Sequence, residues 1–159
     1  VVMDLGCGLG RAGIYLNHKL NDDNVHFIMA DTTGNTENRG DWASAEYNDL
    51  QLTSSFCALN GMKNFEVFDI FRDDFSRLSD VDLVISCCSV GVHFPIEDRM
   101  PDLLKIVNEK CTMIFGLRRG VQYSSESFKE FFDETILIET PPLDNNMLPW
   151  QNWLILKRK

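Results

Sequence analysis

Three glycines at alternate positions, Gly6, Gly8 and Gly10, separate a short apolar run, Val1 to Leu5, from a stretch of helical spacing, Arg11 to Leu20. Strand, glycine turn and helix in that order make the opening unit of an α/β sheet. In the helix, Ile14, Leu16 and Leu20 fall near one face. The rest of the chain keeps the alternation. Val25 to Ala30 reads as a second strand, Ala45 to Leu59 as a helix stopped by Asn60-Gly61, and Phe65 to Phe68 and Val81 to Cys87 as the next strands. A helix from Glu97 to Asn108 precedes a fifth strand, Cys111 to Leu117. Ser125 to Phe132 reads as a short helix, and Thr135 to Glu139 and Trp153 to Lys157 as the last strands.

Near-continuous apolar strands separated by helices belong to a parallel sheet covered on both faces. Only a Pro/Asn-rich loop, Pro141 to Pro149, joins the last two strands, so they are expected to pair antiparallel at one edge. The predicted architecture is α/β: one three-layer, doubly wound domain over residues 1–159, mostly parallel, with an antiparallel C-terminal hairpin strand.

Such sheets bind ligands beyond the carboxyl ends of their strands. The first strand ends in Asp4-Leu5-Gly6-Cys7-Gly8-Leu9-Gly10. Glycines there permit a tight turn and a close approach to the backbone, and the following helix start offers unpaired N–H groups. The dinucleotide fingerprint GxGxxG needs a glycine where Arg11 stands. Asp31, with Thr32 beside it, closes the second strand, and a carboxylate there can accept from both hydroxyls of a ribose. Asp69 closes the third strand and is followed by Ile70.

The D-x-G-x-G-x-G loop resembles motif I of the class I S-adenosylmethionine-dependent methyltransferases, which share a Rossmann-like fold. The resemblance spans nearly the whole chain. It implies S-adenosylmethionine as cofactor, with Asp4, Gly6, Cys7, Gly8 and Gly10 around its methionine end and Asp31 and Thr32 at the ribose. Asp69 would take the adenine amino group, Ile70 would pack on the ring, and Ser86 would lie beside them.

The exit of the fourth strand is where such enzymes place catalytic groups. Ser86-Cys87-Cys88-Ser89 replaces the Asn/Asp-Pro-Pro-aromatic tetrapeptide of DNA amino-methylating enzymes. The segment Ser89-Val90-Gly91-Val92-His93-Phe94-Pro95 is similar to one in bacterial enzymes described as sugar O-methyltransferases. Tyr47-Asn48 and Ile114 to Gly120 share that similarity. A hydroxyl acceptor gains from a general base, and His93 is the candidate, because imidazole exchanges a proton near neutral pH. The alternative is a His93 that only hydrogen-bonds loop backbone ahead of Pro95. Arg118 and Arg119, after the fifth strand, could grip an anionic group of the substrate or pair with a local carboxylate. Trp42 and Tyr47 are candidates for lining the acceptor pocket. Two other functions stay open: methylation at nitrogen or carbon of another metabolite, and non-catalytic binding of the cofactor or its product.

Charge narrows the partners. With 24 Asp and Glu against 15 Lys and Arg, the net charge is −9. The densest basic spots, Arg118-Arg119 and Lys157-Arg158-Lys159, are too small to track a phosphate backbone, so a small-molecule acceptor is expected and nucleic acid is not. No apolar run approaches the ~20 residues of a membrane span, so no membrane partner is expected. Five cysteines without CxxC spacing fit a reduced, cytoplasmic protein without structural metal. The first residue is Val1 rather than Met, so the chain is expected to lack its natural N-terminal segment. That would leave an apolar face uncovered and available for homo-oligomer formation.

Overall fold

The computed structural model describes residues 1–33, 48–118, 128–140 and 151–158. The strands are β1 (Val2–Leu5), β2 (Phe27–Asp31), β3 (Phe65–Asp69), β4 (Val81–Ser86), β5 (Val107–Arg118), β6 (Glu134–Ile138) and β7 (Gln151–Lys157). Among the described residues, helices α1 (Arg11–Leu20), α2 (Leu50–Leu59) and α3 (Met100–Ile106) stand between them, with a 3-10 turn at Phe75–Arg77. They form one seven-stranded sheet in the order β3-β2-β1-β4-β5-β7-β6. The first five strands run parallel, and β7 lies antiparallel between β5 and β6. The expected mostly parallel sheet with a C-terminal antiparallel hairpin is therefore present. The hairpin enters by its second strand, so that β6 becomes the edge.

Alternation along the buried strands divides the core. Met3, Leu5, Ile28, Ala30 and Phe68 join the larger cluster with α3, while Val2, Phe27 and Met29 join a smaller one with Cys57 of α2. Both faces of β1 and β2 are thus covered, which explains why VMDL and FIMAD carry almost no polar residue. Asp31 comes only at the end of β2, and Asp4 is the exception inside a strand. It shares the Val2 and Met29 face, where an apolar side chain is the rule.

Boundaries differ from the sequence reading where a local signal competed with periodicity. α1 matches Arg11–Leu20, although Leu20 is exposed, one position before the left-handed Asn21 (φ 47°) that ends the helix. α2 begins at Leu50 rather than Ala45, because the Asp49 side chain accepts from Gln51 N and Leu52 N (2.8 and 3.1 Å) and caps it. Residues 45–47 lie outside the described set. α3 is shorter than Glu97 to Asn108. It starts at Met100 with Pro101 in its first turn, and Val107 already pairs with Val81. The short helix read over Ser125 to Phe132 falls partly outside the described residues. Its end is a turn in which Phe131 N and Phe132 N donate to Phe128 O.

Candidate cofactor and acceptor site

The Asp4 side chain is 2% exposed. Its Oδ2 accepts from Gly13 N at 2.8 Å, so a strand carboxylate satisfies one of the unpaired N–H groups of the first turn of α1. That helix has Gly10 at its N-cap and no capping side chain of its own. Burial lifts the Asp4 carboxyl from 3.8 to about 6; the Gly13 N–H opposes the rise and the neighbouring Asp31 charge adds to it.

Asp31, at the end of β2, meets the same loop from the other side. Its Oδ2 accepts from Gly8 N at 2.7 Å and its Oδ1 from Thr32 N at 2.8 Å. From α2, the Thr53 hydroxyl donates to Gly8 O at 2.6 Å. Gly8 is therefore held through both its N–H and its carbonyl. Burial, with Asp4 and Asp31 close by, pushes the Cys7 thiol well above its usual range. Cys57 and Cys87 are pushed up to about 11 and Cys111 to about 12, chiefly by burial. These four behave as small apolar side chains rather than nucleophiles.

The protein itself uses the space that the missing side chains of the loop leave. A Cβ on Gly6 (φ 73°) would fall 2.0 Å from Ser89 Cβ, in the loop after β4. A Cβ on Gly13 would fall 2.6 Å from Met29 Cε. Gly13 and Thr53 were not singled out from sequence, and Ser89 was quoted only as part of the segment that carries His93. A signal existed for two of them: a glycine inside a helix costs about 1 kcal/mol against alanine unless packing requires it, and Thr53 is a polar residue on the buried side of α2.

Asp69 ends β3 directly opposite Asp31 in the ladder and is 8% exposed. Its Oδ1 accepts from Phe71 N and Arg72 N (3.0 and 3.3 Å), and Arg72 Nε stands 3.7 Å from Oδ2. Ile70 packs against the larger core, and its N–H donates to Asp31 O at 2.9 Å. Ser86 is fully buried, with its hydroxyl accepting from Val90 N at 3.0 Å.

That bond begins a tight turn. His93 N donates to Ser89 O and Gly91 N to Phe94 O, both at 2.7 Å, while Arg118 N reaches Gly91 O at 3.2 Å. The turn carrying His93 is thus laced to the end of β5. The His93 and Arg118 side chains are both exposed. Arg119, Trp42 and Tyr47 lie outside the described residues. His18 is exposed on α1, and His26 bonds Asn64 Oδ1 and Glu66 Oε1 away from the loop.

Gly91 (φ 93°) sets the height of this turn, since a Cβ there would stand 2.5 Å from Gly116 O of β5. Gly91→Ala is expected to destabilise the fold by about 2–4 kcal/mol through combined backbone strain and collision with a fixed carbonyl. Urea unfolding checks this; a loss below about 0.5 kcal/mol would show that the turn moves aside freely.

Three carboxylates therefore line the carboxyl ends of β1, β2 and β3. Such a rim attracts cationic and hydroxylated ligands and repels a pyrophosphate. Among the described residues, no group of His, Cys, Asp and Glu is placed to hold a metal ion, and no helix is long and apolar enough to cross a membrane.

Neither a family model nor a curated protein matches the sequence. Solved structures match the fold. The S-adenosylmethionine-dependent O-methyltransferase of Thermotoga maritima superposes over 99% of this chain and 58% of its own, with TM-score 0.67 and 13% identity. The chain has the class I methyltransferase fold. The methyltransferase SibL matches over 99% of this chain with TM-score 0.63 and 11% identity, and the chain spans 50% of SibL's length. An rRNA methylase from Streptococcus thermophilus shares the methyltransferase fold over 99% of this chain and 85% of its own, with TM-score 0.59 and 14% identity. Proteins with this methyltransferase fold thus differ in their acceptors.

Proposed function

We propose that the protein transfers a methyl group from S-adenosylmethionine to a small-molecule acceptor at a hydroxyl oxygen. The observation that carries this reading is Asp4, a carboxylate buried on an otherwise apolar face and lifted to about 6 by that burial, beside a glycine loop held by Asp31. A ligand with a cationic amine gives that desolvated carboxylate the counter-charge that the described residues around it lack. Asp31, which accepts from Gly8 N and Thr32 N at the rim of the same loop, is the acceptor for the ribose diol. Asp69 and Ile70 stand one strand further out, where adenine would lie, and Ser86 holds the turn against which the methionine end would rest.

When bound, the cofactor supplies an electrophilic methyl group on a positively charged sulfur. A C–O bond to the acceptor would form as the C–S bond breaks, the electron pair of the C–S bond remaining on sulfur. His93 takes the hydroxyl proton, and Arg118, with Arg119, draws an anionic or hydroxyl-rich acceptor to the rim. The net charge of −9 argues for a small acceptor over a nucleic acid. The oxygen acceptor in the name of the Thermotoga maritima neighbour is in keeping with this choice.

Calorimetric titration with S-adenosylhomocysteine and with NAD tests the cofactor. The homocysteine compound is expected to saturate one site, and Asp31→Ala to weaken it by about 10- to 100-fold, the loss of charge-assisted hydrogen bonds. Binding of NAD in its place would overturn the reading.

A further inference from the structure

β3 is the edge of the described sheet, so only one side of its backbone is paired to a strand. Ile70 N donates inward to Asp31 O, which turns the N–H and C=O of the preceding Asp69 outward. Backbone groups in so closed a place need partners, and one residue supplies both. Asp73 Oδ2 accepts from Asp69 N at 2.8 Å, and Asp73 N donates to Asp69 O at 2.8 Å. Arg77 holds Asp73 in turn. Its guanidinium lies 4.9 Å over the buried Phe68 ring, with Nη2 3.4 Å from both Asp73 Oδ2 and Glu66 Oε2. The turn that this clasp shapes gives Asp69 Oδ1 the N–H groups of Phe71 and Arg72, at 3.0 and 3.3 Å. Among the described residues, Oδ2 has only Arg72 Nε at 3.7 Å, outside hydrogen-bond range. Asp69 thus presents a held carboxylate, one oxygen committed to its own turn and the other available to an outside donor.

We propose that Asp73 is a positioning residue for purine recognition: through Asp69 it sets the aim of Oδ2 at the exocyclic amino group of adenine, without touching the ligand itself. The proposal rests on adenine lying at Asp69, as in the proposed function. A purine with that amino group differs from one without it by the bond the group donates. Selectivity between them therefore depends on how firmly the acceptor is held, because a hydrogen bond weakens steeply away from its best geometry. Freed from Asp73, the end of β3 loses the partner of its outward N–H, and the Asp69 carboxylate loses the turn that fixes it.

Calorimetry with S-adenosylhomocysteine and with its deamino analogue, which carries hydrogen in place of the amino group, tests the assignment. The parent is expected to prefer the amino compound by about tenfold or more, the size of a charge-assisted hydrogen bond. Asp73→Ala is expected to lower that preference by about three- to tenfold, with affinity for the deamino compound held within about twofold. Asp73→Asn keeps an oxygen for Asp69 N and is expected to keep most of the preference. General damage to the fold would weaken both compounds alike, so the ratio reads positioning and not stability. A parent that binds neither compound would overturn the cofactor reading and this one with it. Equal affinities in the parent would remove adenine from Asp69. A parent that prefers the amino compound, with the same ratio in Asp73→Ala, would overturn the role of Asp73 alone.

Discussion

Asp4→Asn is expected to make the unliganded protein more stable at neutral pH while removing most of its cofactor affinity. The folded carboxyl titrates at about 6 against 3.8 in a free chain, so between those values the folded state holds a proton that the unfolded state has released. Stability from this group is therefore present at low pH and is lost as pH rises through about 6. The full displacement corresponds to about 3 kcal/mol at pH 7, by the 1.36 kcal/mol that each pH unit represents. Asparagine keeps an acceptor for Gly13 N but must find partners for its amide hydrogens, so a gain of about 1–3 kcal/mol remains, or roughly 2–10 °C in Tm. The gain should be large at pH 7.5 and vanish near pH 3.5, below the free-chain value of 3.8. Thermal melts of both proteins at those two pH values check it. A variant less stable than the parent at both values would mean that the Asp4 charge supports the fold. Calorimetry supplies the other half: removing a buried charge from its cationic partner should weaken binding by about 100-fold or more.

The same expected opposition of stability and binding goes with the signal that marks Asp4 as a candidate in the sequence. A polar residue on a strand otherwise buried on both faces violates the local pattern, and such violations concentrate at sites. Asp31 and Asp69 stand out as candidates for the same reason, as carboxylates ending apolar runs, and the structure places them opposite each other at the ends of β2 and β3. The alternation of strands and helices carried the sheet, because continuous apolar strands have few other solutions. What periodicity could not supply was contact between distant segments. Nothing in the sequence places Ser89 against Gly6, since that approach depends on how the turn after β4 descends onto the loop after β1. Likewise the Thr53 bond to Gly8 joins residues far apart in the chain. The insertion of β7 between β5 and β6 escaped for a related reason: a hairpin signal fixes that two strands pair, but not which of them faces the rest of the sheet.

His93→Gln is expected to lower kcat by about 10²- to 10⁴-fold, the usual size of a positioned general base, with no change in affinity for S-adenosylhomocysteine. The turn itself should survive, because backbone bonds among Ser89, Gly91, His93 and Phe94 shape it. Glutamine keeps hydrogen-bonding capacity but cannot accept a proton, so the variant separates proton transfer from positioning. In the parent, log kcat should rise with pH with a slope near one and then level off. In the variant that limb should disappear. Arg118→Ala serves as the contrast. It alters a neighbour tied to the same turn through Gly91, and it should raise KM for an anionic acceptor while leaving the pH limb in place. Should His93→Gln retain full kcat and its pH limb, alignment of acceptor, methyl and sulfur would account for the catalysis, since orientation alone can supply several kcal/mol. The imidazole would then be a rim residue, and a neutral nitrogen acceptor, nucleophilic without prior loss of a proton, would move ahead of hydroxyls.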